Sequence, residues 1–193
     1  IVAKYLHSKP SGTVVFWSRL DRLSKNDREI ENANDFDNAI NQVRKHLGLV
    51  FHRYLSPKAG KKSINIFFNE DAIEAFDPFF TSKAAELRKE EFLYENETIK
   101  VQPYVLPHHN KVSRYEWKKY SGDRGYLHEQ GFYVYRNKRL IIYGTWFRLM
   151  PKDELTKLLR VQVDIPNTQD HLWRIDIKKA SAYPPYGIRE GLK

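Results

Sequence analysis

The clearest periodic signal in the chain is a stripe of apolar side chains at Phe36, Ile40, Val43, Leu47, Val50 and Tyr54, separated by four, three, four, three and four positions. Such steps put every member on one face of an α-helix, because about 3.6 residues complete a turn. Asn34 is suited to cap its first turn, and Asp35 and Asp37 sit where the positive end of the helix dipole favours carboxylates. Ser56-Pro57 ends the helix, and Gly48 is the one weak position inside it. Elsewhere the pattern shifts toward strands. Gly12-Thr13-Val14-Val15-Phe16-Trp17 reads as a strand after the turn signal Pro10-Ser11-Gly12. Residues 63–68 and 72–76 read as a hairpin around a three-residue turn, Asn69-Glu70-Asp71. Residues 84–91 are expected to form a short helix and 98–106 a strand, whereas 107–130 is polar and aromatic and reads as an irregular excursion.

A second hairpin is expected at 132–136 and 139–143 around Asn137-Lys138, and Pro151-Lys152-Asp153 opens a brief helical turn. Two strands of clean period two follow, carried by Val161, Val163 and Ile165 and then by Trp173, Ile175 and Ile177. Each should have one buried and one wet face. Pro184-Pro185 stops the second and opens a helix at Tyr186. A long helix among several strands and hairpins predicts an α+β domain with a mixed sheet backed by helices.

Composition narrows the classes. With 41% apolar residues, including 11 Phe, 12 Tyr and 4 Trp, the chain of 193 residues can build a core and is not a disordered polypeptide. Lys and Arg outnumber Asp and Glu by 33 to 24, and the resulting charge of +9 favours encounter with anions such as nucleotides or nucleic acid. There is no Cys, which excludes disulfides and thiolate metal sites and fits the reducing cytoplasm. No apolar run approaches the roughly 20 residues of a membrane helix, so no membrane partner is expected. Ile1-Val2-Ala3-Lys4-Tyr5 is not a signal peptide, and the lack of an initiator Met suggests a start inside a longer protein.

Candidate chemistry is sparse. The seven His residues (7, 46, 52, 108, 109, 128 and 171) show no metal-site spacing, so no metal ligands are expected. No Gly-rich phosphate loop or nucleophile elbow occurs, and Glu90-Glu91 and Asp153-Glu154 read as solvated faces rather than acid–base pairs. Basic clusters stand at Lys58/Lys61/Lys62, Lys118-Lys119, Arg136/Lys138/Arg139 and Lys178-Lys179, with Tyr115, Trp117 and Tyr120 interleaved. Lys118, Lys119, Arg136, Lys138 and Arg139 are the candidates for contacts with DNA or RNA through phosphates and stacking. The alternative for each cluster is a solvated turn beside core aromatics.

Three segments together resemble the region that follows the nucleotide-binding domain in ATPases of the gyrase, heat-shock chaperone, histidine kinase and MutL (GHKL) superfamily, nearest to bacterial MORC-like proteins. Gly12-Thr13-Val14-Val15-Phe16-Trp17-Ser18-Arg19-Leu20-Asp21 resembles the strand that leaves the ATP domain. Gly131-Phe132-Tyr133-Val134-Tyr135-Arg136-Asn137-Lys138-Arg139-Leu140-Ile141 resembles an aromatic hairpin of the family. Arg160-Val161-Gln162-Val163-Asp164-Ile165-Pro166, followed by Trp173-Arg174-Ile175-Asp176-Ile177-Lys178-Lys179, resembles its final strands and lysine loop. Gly48-Leu49-Val50-Phe51-His52-Arg53-Tyr54-Leu55 and Phe76-Asp77-Pro78-Phe79 match the same bacterial type, and the likeness spans most of the chain apart from 107–130.

The resemblance implies a remnant of the nucleotide-binding domain and a connector at 1–30, then a transducer domain at 31–193. Its fold would resemble the second domain of a small-subunit ribosomal protein, with a left-handed crossover. In such a domain a loop lysine reaches the γ-phosphate of ATP, and the matching positions are Lys178 and Lys179, as both catalytic and cofactor-binding candidates. ATP and Mg would be bound mainly by an N-terminal nucleotide-binding domain of the same chain. Glu-x-x-x-Asn, Asp-x-Gly-x-Gly and the Gly-rich lid of the family are absent, so this portion of an ATP hydrolase is not expected to be active alone. The alternative is a stand-alone basic nucleic-acid-binding domain of the same fold, and a homodimer is left open.

Overall fold

The computed structural model describes residues 10–16, 33–56, 63–173 and 184–192. The chain divides into two compact units, Ile1–Val43 and Arg44–Lys193. In the first unit, residues 12–16 are described without regular secondary structure, and Val15 and Phe16 are exposed where the sequence predicts a strand. Helix α1, Ala33–Val50, begins in this unit, and its apolar stripe is open at Phe36 and Val43.

The second unit is built on an antiparallel-rich mixed sheet. Its strands are β3 (Ala85–Glu86), β4 (Glu90–Tyr94), β5 (Glu97–Val105), β6 (Gly131–Arg136), β7 (Arg139–Thr145) and β8 (Leu159–Ile165). Their order is β3-β5-β8-β6-β7, with β4 also paired to β5. Every pairing is antiparallel except β6 with β8, in which Phe132 faces Val161 and Val134 faces Val163. A separate short hairpin joins β1 (Phe67–Phe68) to β2 (Asp71–Ala72). Its turn is the two residues Asn69 and Glu70, one fewer than the sequence suggests, and Asn69 takes the positive φ of 56° that Asn tolerates. The β6–β7 hairpin is as predicted: Asn137 and Lys138, with φ of 50° and 69°, form its tight turn.

Residues 84–91 are not helical. Ala85 and Glu86 pair with Val105 and Tyr104, and Glu90 begins β4, so cross-strand pairing prevails over the local helix preference. Residues 107–130 are likewise more ordered than expected, with α3 at Arg114–Tyr120 and α4 at Tyr126–Glu129. Ser113 starts α3 through a capping box: its hydroxyl accepts from the Glu116 backbone N–H at 3.1 Å, and Glu116 accepts from the Ser113 backbone N–H at 2.9 Å. A short helix α2, His52–Leu55, continues from α1 after Phe51, and α5, Tyr186–Gly191, follows Pro184-Pro185 as predicted.

Both faces of the sheet are covered. On one face, Ile99, Val101, Phe132, Val134, Val161, Val163 and Ile165 form an apolar core that also takes in Trp173 and Ile188 of α5. On the other, Tyr104, Tyr133, Tyr135 and Leu140 pack under Phe79, with Leu49 of α1 against them. Hence the second face of β8 is polar but not wet: Arg160 is only 2% exposed. Phe80, Leu106 and Tyr126 form a third cluster with Trp117 and Tyr120 of α3.

Candidate functional site

The covered polar face brings charged and hydroxyl groups of several elements together. Alternation on β8 sends Arg160, Gln162 and Asp164 to this face, and register with β5 and β6 sets them beside Tyr104, Gln102, Tyr133 and Tyr135. The Arg160 guanidinium donates to the carbonyl oxygens of Pro78 and Tyr120 and lies over the Tyr133 ring, 5.6 Å from its centroid. No carboxylate pairs with it among the described residues, and its Nε has no partner. Two backbone carbonyls and an aromatic face therefore stand in for a counter-ion.

Above β6, α2 supplies His52 and Arg53. His52 Nε2 and the Tyr135 hydroxyl lie 2.7 Å apart, while Arg53 pairs with Asp164 and stacks over the Tyr135 ring at 4.8 Å. Burial lowers the His52 pKa to about 4; Asp77 opposes this and Arg53 assists it. Burial also pushes Tyr104 up to about 12 and Tyr135 well above its ordinary value. Asp77 itself is occupied by a turn, accepting from the backbone N–H groups of Phe79 and Thr81 at 3.0 and 2.9 Å. The neutral His52 imidazole is engaged by the Tyr135 hydroxyl, Asp164 by Arg53 and Asp77 by backbone N–H groups, so the polar groups of this face are spent on one another. The face is a polar lock that ties residues 77–80, α2 and α3 to the sheet.

A second buried polar hub, also unforeseen from the sequence, is Gln130, which is fully buried. Its Oε1 accepts from Trp146 Nε1 at 3.0 Å and from the Thr156 hydroxyl at 2.6 Å, and its Nε2 donates to Asp153 O at 3.0 Å. The amide thus holds the connection between β7 and β8.

The sequence-predicted basic residues separate into three sets. Lys178 and Lys179 lie outside the described residues. Before them Trp173 is fully buried, and after them Pro184 is buried and Ile188 belongs to the same core as Trp173. On the β6–β7 hairpin the charges are engaged. Arg136 pairs with Asp170, Lys138 Nζ lies 5.8 Å above the Tyr54 ring, and half-buried Arg139 stacks on Phe51 at 5.4 Å. Lys118 and Lys119 on α3 are exposed and form no ion pair among the described residues. Of the interleaved aromatics, Trp117 stacks on Tyr126 and Tyr120 on Phe80, leaving Tyr115 open. The hairpin cations are thus engaged within the protein, whereas Lys118 and Lys119 have no such partner among the described residues.

Among the described residues no group of three His, Asp or Glu could hold a metal ion, and no helix is long and apolar enough to cross a membrane. Comparison with protein-family models, with curated proteins and with solved structures finds no match to this chain.

Proposed function

We propose that the chain is the transducer portion of a GHKL-type ATPase: Lys178 or Lys179 senses the γ-phosphate of ATP and couples nucleotide state to conformational change. The observation that supports this reading is that the described residues on either side of 174–183, Trp173 and Pro184, are both buried. Trp173 and Ile188 belong to one core, so the described residues on either side are tied to the same face of the sheet. A cation presented from a rigid body would lose less conformational freedom on meeting a phosphate than one on an open tail. Held beside a transferring phosphoryl group it would stabilise the charge that develops there.

Two further features support the reading. The aromatic hairpin Gly131–Arg136 and Arg139–Thr145, on which the resemblance rests, forms one side of the sheet, with β7 at its edge and β8 between β6 and β5. A mixed sheet with one parallel pair and a few helices is of the α+β class that such a transducer would have, and the reading adds to it the ribosomal-protein-like arrangement with a left-handed crossover. ATP and Mg would then be held by a nucleotide-binding domain of the same chain.

The test is ATP turnover by the full-length protein carrying Lys178→Ala, Lys179→Ala or both. Loss of one phosphate-facing cation should lower kcat by roughly 100-fold, the scale for removing one preorganised charge-stabilising group. The other single variant should remain near wild type. Unchanged turnover in both single variants and in the double variant overturns the proposal.

A further inference from the structure

Helix α3 carries exposed cations that no carboxylate among the described residues pairs with. At about 3.6 residues per turn, Arg114, Tyr115, Lys118 and Lys119 share one half of its circumference, and Glu116, Trp117 and Tyr120 share the other. The second half is engaged: Trp117 and Tyr120 stack on Tyr126 and Phe80, and Glu116 pairs with Lys83 at 2.6 Å. The first half is open, with all four side chains exposed and Tyr115 at 74%.

Its charges are set against one another. Arg114 and Lys118 are like charges at i and i+4, an arrangement that weakens a helix, and Arg114 opens the helix at the positive end of its dipole. Lys111 adds another exposed cation just before the cap. No carboxylate pairs with Arg114, Lys118 or Lys119 among the described residues. A polyanion would relieve this repulsion. The exposed Tyr115 ring among the cations adds a flat stacking surface, which a base in a single strand can meet and a base inside a duplex cannot.

We propose that this face of α3, formed by Arg114, Tyr115, Lys118 and Lys119, binds single-stranded nucleic acid, with the three cations on successive phosphates and Tyr115 under a base. The site is distinct from the proposed nucleotide-sensing lysines and does not depend on them. The hairpin cations Arg136, Lys138 and Arg139 are excluded from it, because they are held by Asp170, Tyr54 and Phe51.

The experiment titrates the whole chain against a labelled mixed-sequence single-stranded oligonucleotide by fluorescence anisotropy across a salt series. The same-sequence duplex and anionic phospholipid vesicles serve as competitors. Affinity for the single strand should fall linearly in a log–log plot against salt. A triple variant Arg114→Gln, Lys118→Gln and Lys119→Gln should reduce the magnitude of that slope by about 2, since each phosphate contact on a single strand contributes roughly 0.7. Tyr115→Leu should weaken binding by roughly 5- to 100-fold and leave the slope unchanged, whereas Tyr115→Phe, which keeps the ring, binds as wild type. Lys138→Gln on the hairpin should change nothing. All these positions are at least partly exposed, and equal thermal melts of the variants keep folding out of the comparison. Absence of binding at low salt, tighter binding of duplex or vesicles than of the single strand, or indifference to Tyr115→Leu overturns the proposal.

Discussion

At the residue scale the decisive group is Arg160, a cation at 2% exposure with two backbone carbonyls and the Tyr133 ring for partners. Arg160→Ala leaves Pro78 O and Tyr120 O without their donor and opens a void, so unfolding free energy in urea should drop by about 3 kcal/mol. Arg160→Lys should lose a large part of that, because one ammonium on a single stem does not reproduce the two-armed fork. A loss below about 0.5 kcal/mol in the Ala variant would mean that the carbonyls are satisfied otherwise. His52 gives a pH signature. Its folded pKa of about 4 lies below the ordinary 6.5, so the unfolded chain binds the proton more readily in between. Its contribution is therefore complete above pH 6.5 and fades as pH falls toward 4. The difference approaches about 3 kcal/mol, at 1.36 kcal/mol per unit. His52→Gln keeps a side chain that can hydrogen-bond to Tyr135 but cannot titrate, so urea midpoints from pH 7 to pH 4 should decline less steeply than in the wild type. Parallel declines would show that another group is responsible. Neither role is written in the local pattern: on β8, Arg160 alternates with valines as a solvent-facing residue would, and only the turn from Asp77 to Phe80 settling over the sheet makes it a buried one.

At the element scale, what could be read depended on whether the signal was local. The β6–β7 turn, β5, β8 and α5 follow from turn chemistry, apolar spacing and proline, each legible within about ten residues, while the long apolar stripe marks α1 but runs past its end at Val50 into α2. The capping box of α3 was equally local, Ser113 with Glu116 three residues on, but the surrounding Gly and His residues masked it. Ser113→Ala should lower global stability by about 1 kcal/mol, with Ser113→Asp retaining most of it, measured by urea denaturation. Gly48 reverses the usual propensity argument. A Cβ at this position would lie 2.6 Å from the Glu74 backbone oxygen, and Gly48 O accepts from the Phe76 N–H at 3.1 Å. The glycine is thus the place where α1 meets residues 73–76 closely. In an exposed helix Gly→Ala gains close to 1 kcal/mol, but here Gly48→Ala should destabilise, with a lower thermal midpoint. A raised midpoint would show that the helix can shift to accept the methyl group. The same close approach explains Gly131, whose φ of 116° and proximity to the Thr145 backbone admit no side chain.

For the whole molecule, the α+β class and the mixed sheet were legible because strand and helix periods alternate along the chain, whereas the two-sided cover was not. Twelve tyrosines hinted at it, since Tyr serves where one end of a side chain is apolar and the other must find a hydrogen bond. Which face each tyrosine meets depends on pairings such as Tyr135 with Asp164 across the parallel β6–β8 ladder, a contact no local window contains. Nor could the sequence separate engaged cations from free ones, because Arg136 finds Asp170 thirty-four positions away. The three core clusters draw on no described residue before Leu49, so the unit Arg44–Lys193 holds its own apolar centre. A chain shortened to begin at Ala33 should then unfold in one cooperative step and keep the aromatic near-ultraviolet signal of its packed Trp and Tyr residues. If the shortened chain instead lost that signal while retaining its far-ultraviolet spectrum, a packed core would require the deleted residues. The self-sufficiency of this unit would then fail, and with it the idea that the core holding Trp173 and Ile188 is a rigid body.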